Sequence, residues 1–413
     1  ANNLIEKIKQ TSNLVIGELG FGIGLNFLMT VKSLKKNLIN NKHLHYISFE
    51  GYPLEHKQLK EIYSNFKELN VISNVLLNRL PLKMSGVHDI YFPEYNTTLT
   101  LVYDDFSSIE KFSFLADAWY LDGFAPKKNL SAWTEDILKN VYKKTKFEGT
   151  FSTFTSATKV RKDLIKVGFD VSKKIGFSHK REMLIGIKRK NIKKINLGFH
   201  DFNIEPVAII GGGVTGASLA FSLKKRNIEC FIVEKGHELG NGASGNLVAF
   251  QIPKLTLDDS IYGIFSLRSY LYSRNLAINL DSVPISNGVI IFPNRDRENK
   301  KFEELLNFKW PYELFHNYKS VEFQNFKNLH LFPNSGIVET KKFLKNLSKS
   351  VKFINNFEVK KIDHFKNKKI LYNFTGDSIS AKTVIWANGF EVKNKFLKKI
   401  CIPTSGQVTY IKK

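Results

Sequence analysis

The sequence predicts an α/β protein in which two parallel, doubly wound sheets each begin with a glycine-rich loop. The two loops are Glu18-Leu-Gly-Phe-Gly-Ile-Gly24 and Gly211-Gly-Gly-Val-Thr-Gly216. Each follows a run of aliphatic, β-branched residues and precedes a helical pattern, which is the order of strand, loop and helix in a nucleotide-binding fold. A chain of 413 residues has room for two such domains, so the sequence indicates two cofactors.

The elements of the first domain alternate between strand-type and helix-type segments. Predicted strands, rich in β-branched and aromatic residues, are Tyr46–Glu50, Thr98–Tyr103, Ala118–Leu121 and Thr150–Phe154. Helices are expected near 25–37, 54–66, 133–146 and 158–167, and an antiparallel pair near Val171–Ile175 and Met183–Lys188 closes the sheet. The basic, aperiodic segment 189–205 is predicted to be a linker.

The second domain is predicted to start at Pro206 with a βαβ unit over Val207–Glu234. Later strands are expected at Gly288–Phe292, Lys352–Ile362 and Thr383–Ala387. The chain starts at Ala1 and stops within the strand-like run Gln407–Lys412, so we expect a fragment that is truncated at both ends.

The charge balance favours a polyanionic partner. Lys and Arg number 62 against 38 for Asp and Glu, which gives a net charge of +24 and a pI near 9.7. Such a balance is typical of proteins that bind nucleic acid. The alternative is compositional drift, because Lys, Asn, Ile and Phe are all abundant.

Cysteine content and hydropathy indicate a cytoplasmic protein. Cys230 and Cys401 are the only cysteines, so we predict neither a disulfide framework nor a metal site. No apolar run reaches the roughly 20 residues that span a bilayer, and no signal peptide is visible. We therefore expect no membrane association.

Acidic residues in the first domain fall where S-adenosylmethionine (SAM) would need them. Glu18 precedes the spaced glycines Gly20, Gly22 and Gly24, an order that suits a cationic ligand. Glu50 ends the second predicted strand, where a carboxylate can accept both ribose hydroxyls. Asp105 is expected near the adenine, and Asp122 at the carboxyl edge where open α/β sheets bind ligands. The alternative for any acid at a strand end is a helix N-cap.

The second loop has the spacing of a dinucleotide site. Gly211, Gly213 and Gly216 permit the tight turn, the approach of the pyrophosphate and the close helix contact. Glu234 follows by about 20 residues, the distance at which an acid binds the ribose.

Several motifs together resemble a known family. In the first domain they are Glu18-Leu-Gly-Phe-Gly-Ile-Gly-Leu-Asn-Phe-Leu28, Ser48-Phe-Glu50, Tyr120-Leu-Asp-Gly-Phe-Ala-Pro-Lys-Lys-Asn129 with Trp133, Thr153-Phe-Thr-Ser-Ala157 and Lys180-Arg-Glu-Met-Leu184. In the second they are Gly211–Gly216, Gly242-Ala-Ser-Gly-Asn246, Pro253-Lys-Leu255, Ala387-Asn-Gly389 and Gly406-Gln-Val408. The sequence is similar to the family of bifunctional tRNA 5-methylaminomethyl-2-thiouridine biosynthesis proteins over nearly its whole length.

The resemblance implies a domain organisation and two cofactors. Residues 1–188 would form a Rossmann-like SAM-dependent methyltransferase domain. Residues 206–413 would form an incomplete FAD-dependent oxidoreductase of the D-amino-acid-oxidase type, with an FAD-binding Rossmann portion and an α+β substrate portion. FAD is expected rather than NAD because the glycine-serine segment Gly242–Asn246 and the strand end Ala387–Gly389 resemble the flavin family. The implied contacts are Ser244, Gly245, Asn246, Val359 and Gly389.

The implied activity is sequential modification of the wobble uridine of tRNA. The flavin domain would remove the carboxymethyl group from 5-carboxymethylaminomethyluridine, and the methyltransferase would then methylate the exposed amine. Asp122 is the candidate for holding that amine and accepting its proton; its structural alternative is packing of the following turn. Two other functions stay open: a small-molecule amine methyltransferase fused to an amino-acid oxidase, and a non-catalytic RNA-binding remnant.

Basic loop residues near the methyltransferase edge are candidates for RNA contacts. Lys127, Lys128, Lys180 and Arg181 could bind phosphates around the anticodon, although basic loops are often only solvated. Phe124 and Phe177 could stack on the target base or belong to the core. A monomer is expected.

Overall fold

Two compact units make up the chain. The computed structural model describes residues 2–39, 42–122, 133–176, 182–189, 205–258, 260–283, 287–308, 310–319 and 328–389. The first unit comprises 1–200, 250–279 and 283–337, and the second comprises 201–249, 280–282 and 338–413. The domain boundaries expected at residues 188 and 206 stay a prediction. The compact units differ from them, since the first unit includes 250–279 and 283–337.

An eight-stranded sheet forms the centre of the first unit. Its strands are β1 (Asn13–Leu19), β2 (His43–Phe49), β3 (Gly86–Phe92), β4 (Thr97–Tyr103), β5 (Ala116–Leu121), β6 (Thr145–Thr153), β7 (Asp170–Ile175) and β8 (Glu182–Ile187). Their order is β3-β4-β2-β1-β5-β6-β8-β7, and the five central strands are parallel. β1 has β2 on one side and β5 on the other, so the winding direction reverses there. Ligands of open α/β sheets bind outside the carboxyl ends at such a switch point.

Six α-helices lie before residue 189 in the part of the chain that the structure describes, and the first unit takes two more from residues 261–306. The six are α1 (Leu4–Gln10), α2 (Leu25–Ile39), α3 (His56–Tyr63), α4 (Asn70–Leu77), α5 (Glu135–Lys143) and α6 (Thr158–Lys166). One apolar cluster, with Phe27 and Tyr46, lies on one face of the sheet, and a second cluster around Trp119 and Phe151 lies on the other. A Cβ at Gly17 would lie 2.4 Å from the Trp119 ring, so this position in β1 requires glycine.

The remaining elements follow residue 205. In chain order they are β9 (Val207–Ile210), α7 (Val214–Lys225), β10 (Cys230–Val233), β11 (Val248–Gln251), α8 (Ile261–Asn279), β12 (Asn287–Ile291), α9 (Asp296–Leu306), β13 (His316–Tyr318), β14 (Leu329–Glu339), α10 (Thr340–Leu347), β15 (Lys352–Ile354), β16 (Lys361–His364), β17 (Lys369–Tyr372), β18 (Ser378–Ala381) and β19 (Thr383–Trp386). No helix within the described ranges is long and apolar enough to cross a membrane.

The second unit contains a parallel sheet and a smaller antiparallel one. The parallel sheet has the order β15-β10-β9-β19, and β16, β17 and β18 form the three-stranded antiparallel sheet. Apolar residues from both sheets, including Phe231, Val233, Leu371 and Ala381, form one cluster. A second cluster contains Ile209 and Ile232 with residues of α7.

The expected single strand Lys352–Ile362 is wrong. The segment forms two strands in different sheets, because β15 pairs with β10 and β16 pairs with β17. Asn356, between them, has a φ of 51°, a left-handed conformation that an extended strand does not contain. The turn redirects the chain from one sheet to the next.

The first unit also contains a helix that the sequence pattern did not predict. The long helix α8 contacts β3, the edge strand of the eight-stranded sheet. Leu82 and Met84, just before β3, pack against a cluster that contains Tyr270 and Phe332. The apolar residues of α8 are spread around the helix rather than along one face, so its sequence lacks the usual amphipathic pattern.

Candidate cofactor sites and methyl-transfer site

The first glycine loop runs from β1 to α2 in a conformation that favours glycine. Gly20, Gly22 and Gly24 have φ angles of 88°, 53° and 69°. The Gly20 N–H donates to the Phe49 carbonyl at 2.8 Å, and the Gly24 N–H donates to the Phe21 carbonyl at 2.7 Å. A Cβ at Gly24 would also lie 2.7 Å from the Phe21 ring. Left-handed backbone and close packing together account for the glycines.

Glu50, which directly follows β2, holds this loop through one carboxylate oxygen and binds the backbone just beyond itself through the other. Its Oε2 accepts from the Gly22 N–H at 2.8 Å, and its Oε1 accepts from the Tyr52 N–H at 2.8 Å. The residue is buried. Each carboxylate oxygen can accept a further hydrogen bond, so this arrangement leaves acceptor capacity for ribose hydroxyls.

Glu18, near the end of β1, is a buried carboxyl group with two neutral donors. Ser48 Oγ donates to its Oε2 at 2.7 Å, and Asn26 Nδ2 donates to its Oε1 at 3.0 Å. Its exposed fraction is 1%. Burial, with a smaller contribution from the charge of Asp122, raises the pKa of Glu18 to about 8. Without a bound cation, Glu18 is therefore mainly protonated at neutral pH.

Asp122 directly follows β5, and the strand register brings it beside Glu18. Leu19 of β1 pairs with Leu121 of β5, so the two strands end side by side. Asn26 Nδ2 donates to Asp122 Oδ2 at 2.7 Å, and the Phe154 N–H donates to Oδ1 at 3.3 Å. The three predicted acids Glu18, Glu50 and Asp122 all lie at the carboxyl ends of neighbouring strands. A crevice lined by three carboxyl groups fits a cationic ligand such as SAM, because the positive charge of the ligand would favour loss of the Glu18 proton.

Asp105 has the helix-capping position that was the alternative to an adenine contact. It precedes a 3₁₀ helix over Phe106–Lys111, and its Oδ1 accepts from the Ser107 N–H at 2.9 Å. This backbone hydrogen bond lowers the pKa of Asp105 below its usual value. Contact with the adenine stays a prediction.

Asn26 is a site residue to which the sequence motifs assigned no role. It occupies the first turn of α2, immediately after the loop, and its one amide nitrogen reaches both Glu18 and Asp122. The sequence signal was the placement of Asn two residues after Gly24, because a side chain in the first turn lies over the end of the preceding strand.

The predicted RNA contacts fall outside the described residues. This applies to Lys127, Lys128, Lys180 and Arg181, and equally to Phe124 and Phe177. Their roles stay predictions.

The second glycine loop connects β9 to α7 and packs closely against the start of that helix. Gly211 has a φ of 113°, and a Cβ there would lie 2.5 Å from the Ala387 carbonyl oxygen at the end of β19. A Cβ at Gly216 would lie 1.9 Å from the Gly211 carbonyl oxygen. Only glycine permits the helix to approach the loop this closely, and the loop leads directly into the first turn of α7. A helix N-terminus presented in this way fits a pyrophosphate.

Glu234 holds the second loop as Glu50 holds the first. It directly follows β10, and its Oε2 accepts from the Gly212 N–H at 2.6 Å. Its Oε1 accepts from the Gly236 N–H at 3.0 Å. The predicted ribose-binding acid therefore lies at the predicted loop.

The segment around Ser244 packs beside this loop. Ser244 Oγ accepts from the Val214 N–H at 3.0 Å, and a Cβ at Gly213 would lie 3.2 Å from the same oxygen. Ser244 and Gly245 belong to a 3₁₀ helix that ends before Asn246. These three predicted residues follow a turn in which the Gly240 N–H donates to the Gly212 carbonyl at 3.0 Å.

Val359 and Gly389 are the two predicted FAD contacts that lie far along the chain from the glycine loop. Val359 is buried in the cluster between the two sheets of the second unit. Gly389 has a φ of 63° and lies two residues beyond Ala387, whose N–H donates to the Ile210 carbonyl at 2.8 Å. Gly389 therefore comes shortly after β19, the edge strand of the parallel sheet, close to where Ala387 contacts Gly211. Direct cofactor contacts of both residues stay predictions.

A cavity of about 230 Å³ lies elsewhere in the first unit. Its lining includes Asn78, His88, Asp89, Arg274, Asn275 and Asn334, none of which belongs to a predicted site. Among the residues with described positions, no three His, Cys, Asp or Glu side chains cluster as metal ligands would. The expectation that no metal is required stays a prediction.

Comparison with known proteins supports the two-domain interpretation. Residues 67–189 match the family described as S-adenosyl-L-methionine-dependent methyltransferase, and residues 206–413 match the FAD dependent oxidoreductase family. These matches imply SAM and FAD as the cofactors, in agreement with the sequence prediction.

Two relatives carry the name tRNA 5-methylaminomethyl-2-thiouridine biosynthesis bifunctional protein MnmC. The one from Marinomonas sp. (strain MWYL1) is 34% identical over 73% of this chain and 47% of its own length. The one from Legionella pneumophila (strain Corby) is 30% identical over 99% of this chain and 67% of its own length. The chain thus spans between about half and two thirds of these relatives.

A solved structure of MNMC2 from Aquifex aeolicus is 26% identical and aligns with 45% of this chain and 56% of that chain, with a TM-score of 0.37. A score of this size adds nothing about the fold. The relatives named above match this chain over 73% and 99% of its length, at 34% and 30% identity. The chain therefore belongs to the family of bifunctional tRNA 5-methylaminomethyl-2-thiouridine biosynthesis proteins.

Proposed function

We propose that the protein modifies the wobble uridine of tRNA in two steps. Its FAD-dependent part removes the carboxymethyl group from 5-carboxymethylaminomethyl-(2-thio)uridine, and its SAM-dependent part methylates the exposed amine to give 5-methylaminomethyl-(2-thio)uridine. The observation that carries the proposal is the presence of two differently built cofactor loops in one chain, one beside Asp122 and one at the start of α7. The names of the relatives supply the substrate class.

In the methyl transfer, SAM supplies the methyl group and the protein orients the amine. The amine nitrogen forms the new N–C bond as the S–C bond breaks, and the electron pair of that bond stays on sulfur. The proton that the nitrogen loses passes to Asp122, the proposed general base. Because little charge is created overall, correct positioning accounts for most of the rate gain.

In the oxidation, FAD would supply the electron acceptor for the C–H bond beside the amine. Water would then cleave the resulting C=N bond, which releases the amine and carries the two carboxymethyl carbons away as an oxo acid. Residues of this chain would hold it: Gly211, Gly213 and Gly216 would let backbone N–H groups approach the pyrophosphate, and Glu234 would bind the ribose. The role of the protein there is to align the substrate C–H bond with the flavin ring.

The proposed partner is tRNA, and the proposed compartment is the cytoplasm. A net charge of +24 favours binding to a polyanion. Within this proposal, the RNA contacts are made by Lys127, Lys128, Lys180 and Arg181. The protein acts as a monomer.

Nucleoside mass analysis of undermodified tRNA tests both steps in one experiment. With the protein alone, carboxymethylaminomethyluridine should become aminomethyluridine; with SAM added, the product should gain one methyl group. Asp122→Asn serves as the control, since it should stop at aminomethyluridine. If tRNA is left unchanged while free amines are methylated, the small-molecule alternative replaces the proposal.

Salt dependence tests the RNA partner separately. If several phosphates are neutralised on binding, the logarithm of tRNA affinity should fall linearly with log salt, at roughly −0.7 to −0.9 per contact. Filter binding between low and physiological salt measures this slope. A slope near zero would mean that the basic charge reflects composition rather than RNA binding.

A further inference from the structure

The side-chain amide of Asn26 bridges two carboxyl groups at the predicted methyl-transfer site. Its Nδ2 lies 3.0 Å from Glu18 Oε1 and 2.7 Å from Asp122 Oδ2. An amide nitrogen has two hydrogens, so it can donate to both acids at once. Of the two contacts, the one to Asp122 is the shorter.

The backbone around Asn26 fixes the direction of this amide. The residue lies in the first turn of α2, and the Leu28 N–H donates to the Gly24 carbonyl at 2.9 Å, which ties that turn to the glycine loop. The next residue, Phe27, is buried in the core and packs edge-on against Tyr46, with ring centroids 5.3 Å apart. The helix turn is therefore anchored on both sides of Asn26.

We propose that Asn26 is a positioning residue of the methyl transfer, which holds the Asp122 carboxylate in its amine-facing orientation and links it to Glu18. The inference rests on the proposed function, since Asp122 is the base of that reaction. Asn26 orients one Asp122 oxygen while the Phe154 N–H, at 3.3 Å, holds the other. A donor to an ionised carboxylate stabilises the charged form, which is the form that accepts a proton.

Three titratable groups near Asp122, namely Glu18, Tyr46 and Tyr120, are neutral near pH 7. Burial raises the pKa values of Tyr46 and Tyr120, so both phenols stay neutral near pH 7. Glu18 keeps a proton there as well, because burial raises its pKa to about 8. Asp122 is the carboxyl group of this set whose two oxygens accept from Asn26 Nδ2 and from the Phe154 N–H.

Substitution of Asn26 by Ala tests the proposal with the full chain. We expect kcat for methylation of aminomethyluridine-containing tRNA to fall about 10- to 100-fold, as for a lost hydrogen bond to a charged group. The KM for SAM should change by less than about twofold. The acidic limb of the pH profile of kcat should move up by about one unit, because the Asp122 carboxylate loses a donor.

Thr30→Val is the matched control. Thr30 lies one turn further along α2 and makes a similar polar contact, with Tyr120 Oη at 3.1 Å, but it touches neither acid. This variant should leave the acidic limb unmoved. If Asn26→Ala does not fold, Asn26→Asp keeps the shape without the donor and should shift the limb in the same direction. An unmoved limb in the Asn26 variant overturns the positioning role, whatever happens to kcat.

A carboxyl titration separates this inference from the proposed function. Protein labelled with ¹³C-aspartate, with Asp122→Asn used to assign the signal, reports the Asp122 midpoint without any turnover. The midpoint should rise by about one unit in Asn26→Ala. If the wild type fails to methylate tRNA, the proposed function fails, yet the titration still decides whether Asn26 holds Asp122. An unchanged midpoint overturns the inference.

Discussion

The two glycine loops are held by the same kind of hydrogen bond to an acid, and they differ in the residues around them. In each, the acid that follows the second parallel strand accepts from a loop N–H and from the N–H two residues further on: Glu50 with Gly22 and Tyr52, Glu234 with Gly212 and Gly236. The difference lies before the loop. The second-last residue of β1 is a buried acid, Glu18, whereas the second-last residue of β9 is the buried, apolar Ile209.

This difference indicates how similar loops select opposite charges. At the first loop, Glu18, Glu50 and Asp122 gather carboxyl groups around the crevice, which suits a cation. At the second, Gly216 lets α7 begin against the loop, which presents helix N–H groups to an anion. The shared acid holds the loop. We expect the residues on either side of the loop to determine which ligand binds.

Loss of the close helix approach should have the largest effect. In Gly216→Ala, the new Cβ would lie 1.9 Å from a backbone oxygen that cannot move aside cheaply, so we expect no measurable FAD binding. SAM affinity should be unchanged. The counterpart Gly22→Ala meets open space and adds only backbone strain at φ 53°, about 1–2 kcal/mol. Flavin titration measures FAD binding, and calorimetry measures SAM binding, in each variant. Normal FAD binding by Gly216→Ala would contradict the prediction that the close packing requires glycine.

Asp122→Asn should separate chemistry from binding at the first loop. Loss of the base should lower the methylation rate by about 10²- to 10⁴-fold, the usual range for general base catalysis. SAM affinity should stay within about twofold, since Glu50 rather than Asp122 lies where the ribose would bind. Single-turnover methylation and calorimetry provide the readouts. A wild-type rate would remove Asp122 from the catalytic role.

The shared acids should act independently of each other. Glu50→Ala should weaken SAM binding by about 1–3 kcal/mol and leave FAD binding unchanged, and Glu234→Ala should do the reverse. Each substitution removes one charge-assisted hydrogen bond to its own loop and one to the N–H two residues after the acid. Titration of both cofactors against both variants gives the four affinities. Cross-effects would show that the two loops are coupled.

Glu18 should make the free energy of unfolding depend on pH. Its pKa is raised from about 4.5 to about 8 by folding, so the folded state binds more protons between these values. Stability without SAM should therefore fall as pH rises from about 4.5 to 8, by at most about 1.4 kcal/mol per pH unit. Glu18→Gln should remove this slope. Urea unfolding at several pH values measures it, and equal slopes in both proteins would contradict the assignment.

Both cofactor loops could be predicted from sequence because local rules govern them. Glycine spacing and an acid at the next strand end follow from the geometry of a single βαβ unit, and the structure has them in place. Asn26 was harder to assign, because its contacts join residues distant in sequence. The split of Lys352–Ile362 was missed because Asn355 and Asn356 interrupt a run that otherwise favours strand. Helix α8 was missed because it lacks a one-sided apolar pattern.

The first unit is built from three separate segments of the chain, and this has a consequence for its synthesis on the ribosome. Its sheet is complete by residue 187, yet its edge strand β3 is contacted by α8, and the unit extends to residue 337. At 5–20 residues per second, the interval between those points lasts about 7–30 s. During that time the nascent sheet exposes Leu82, Met84 and an uncovered strand edge, which is a template for mispairing with other chains. Chaperone demand should therefore peak while this middle segment is being translated.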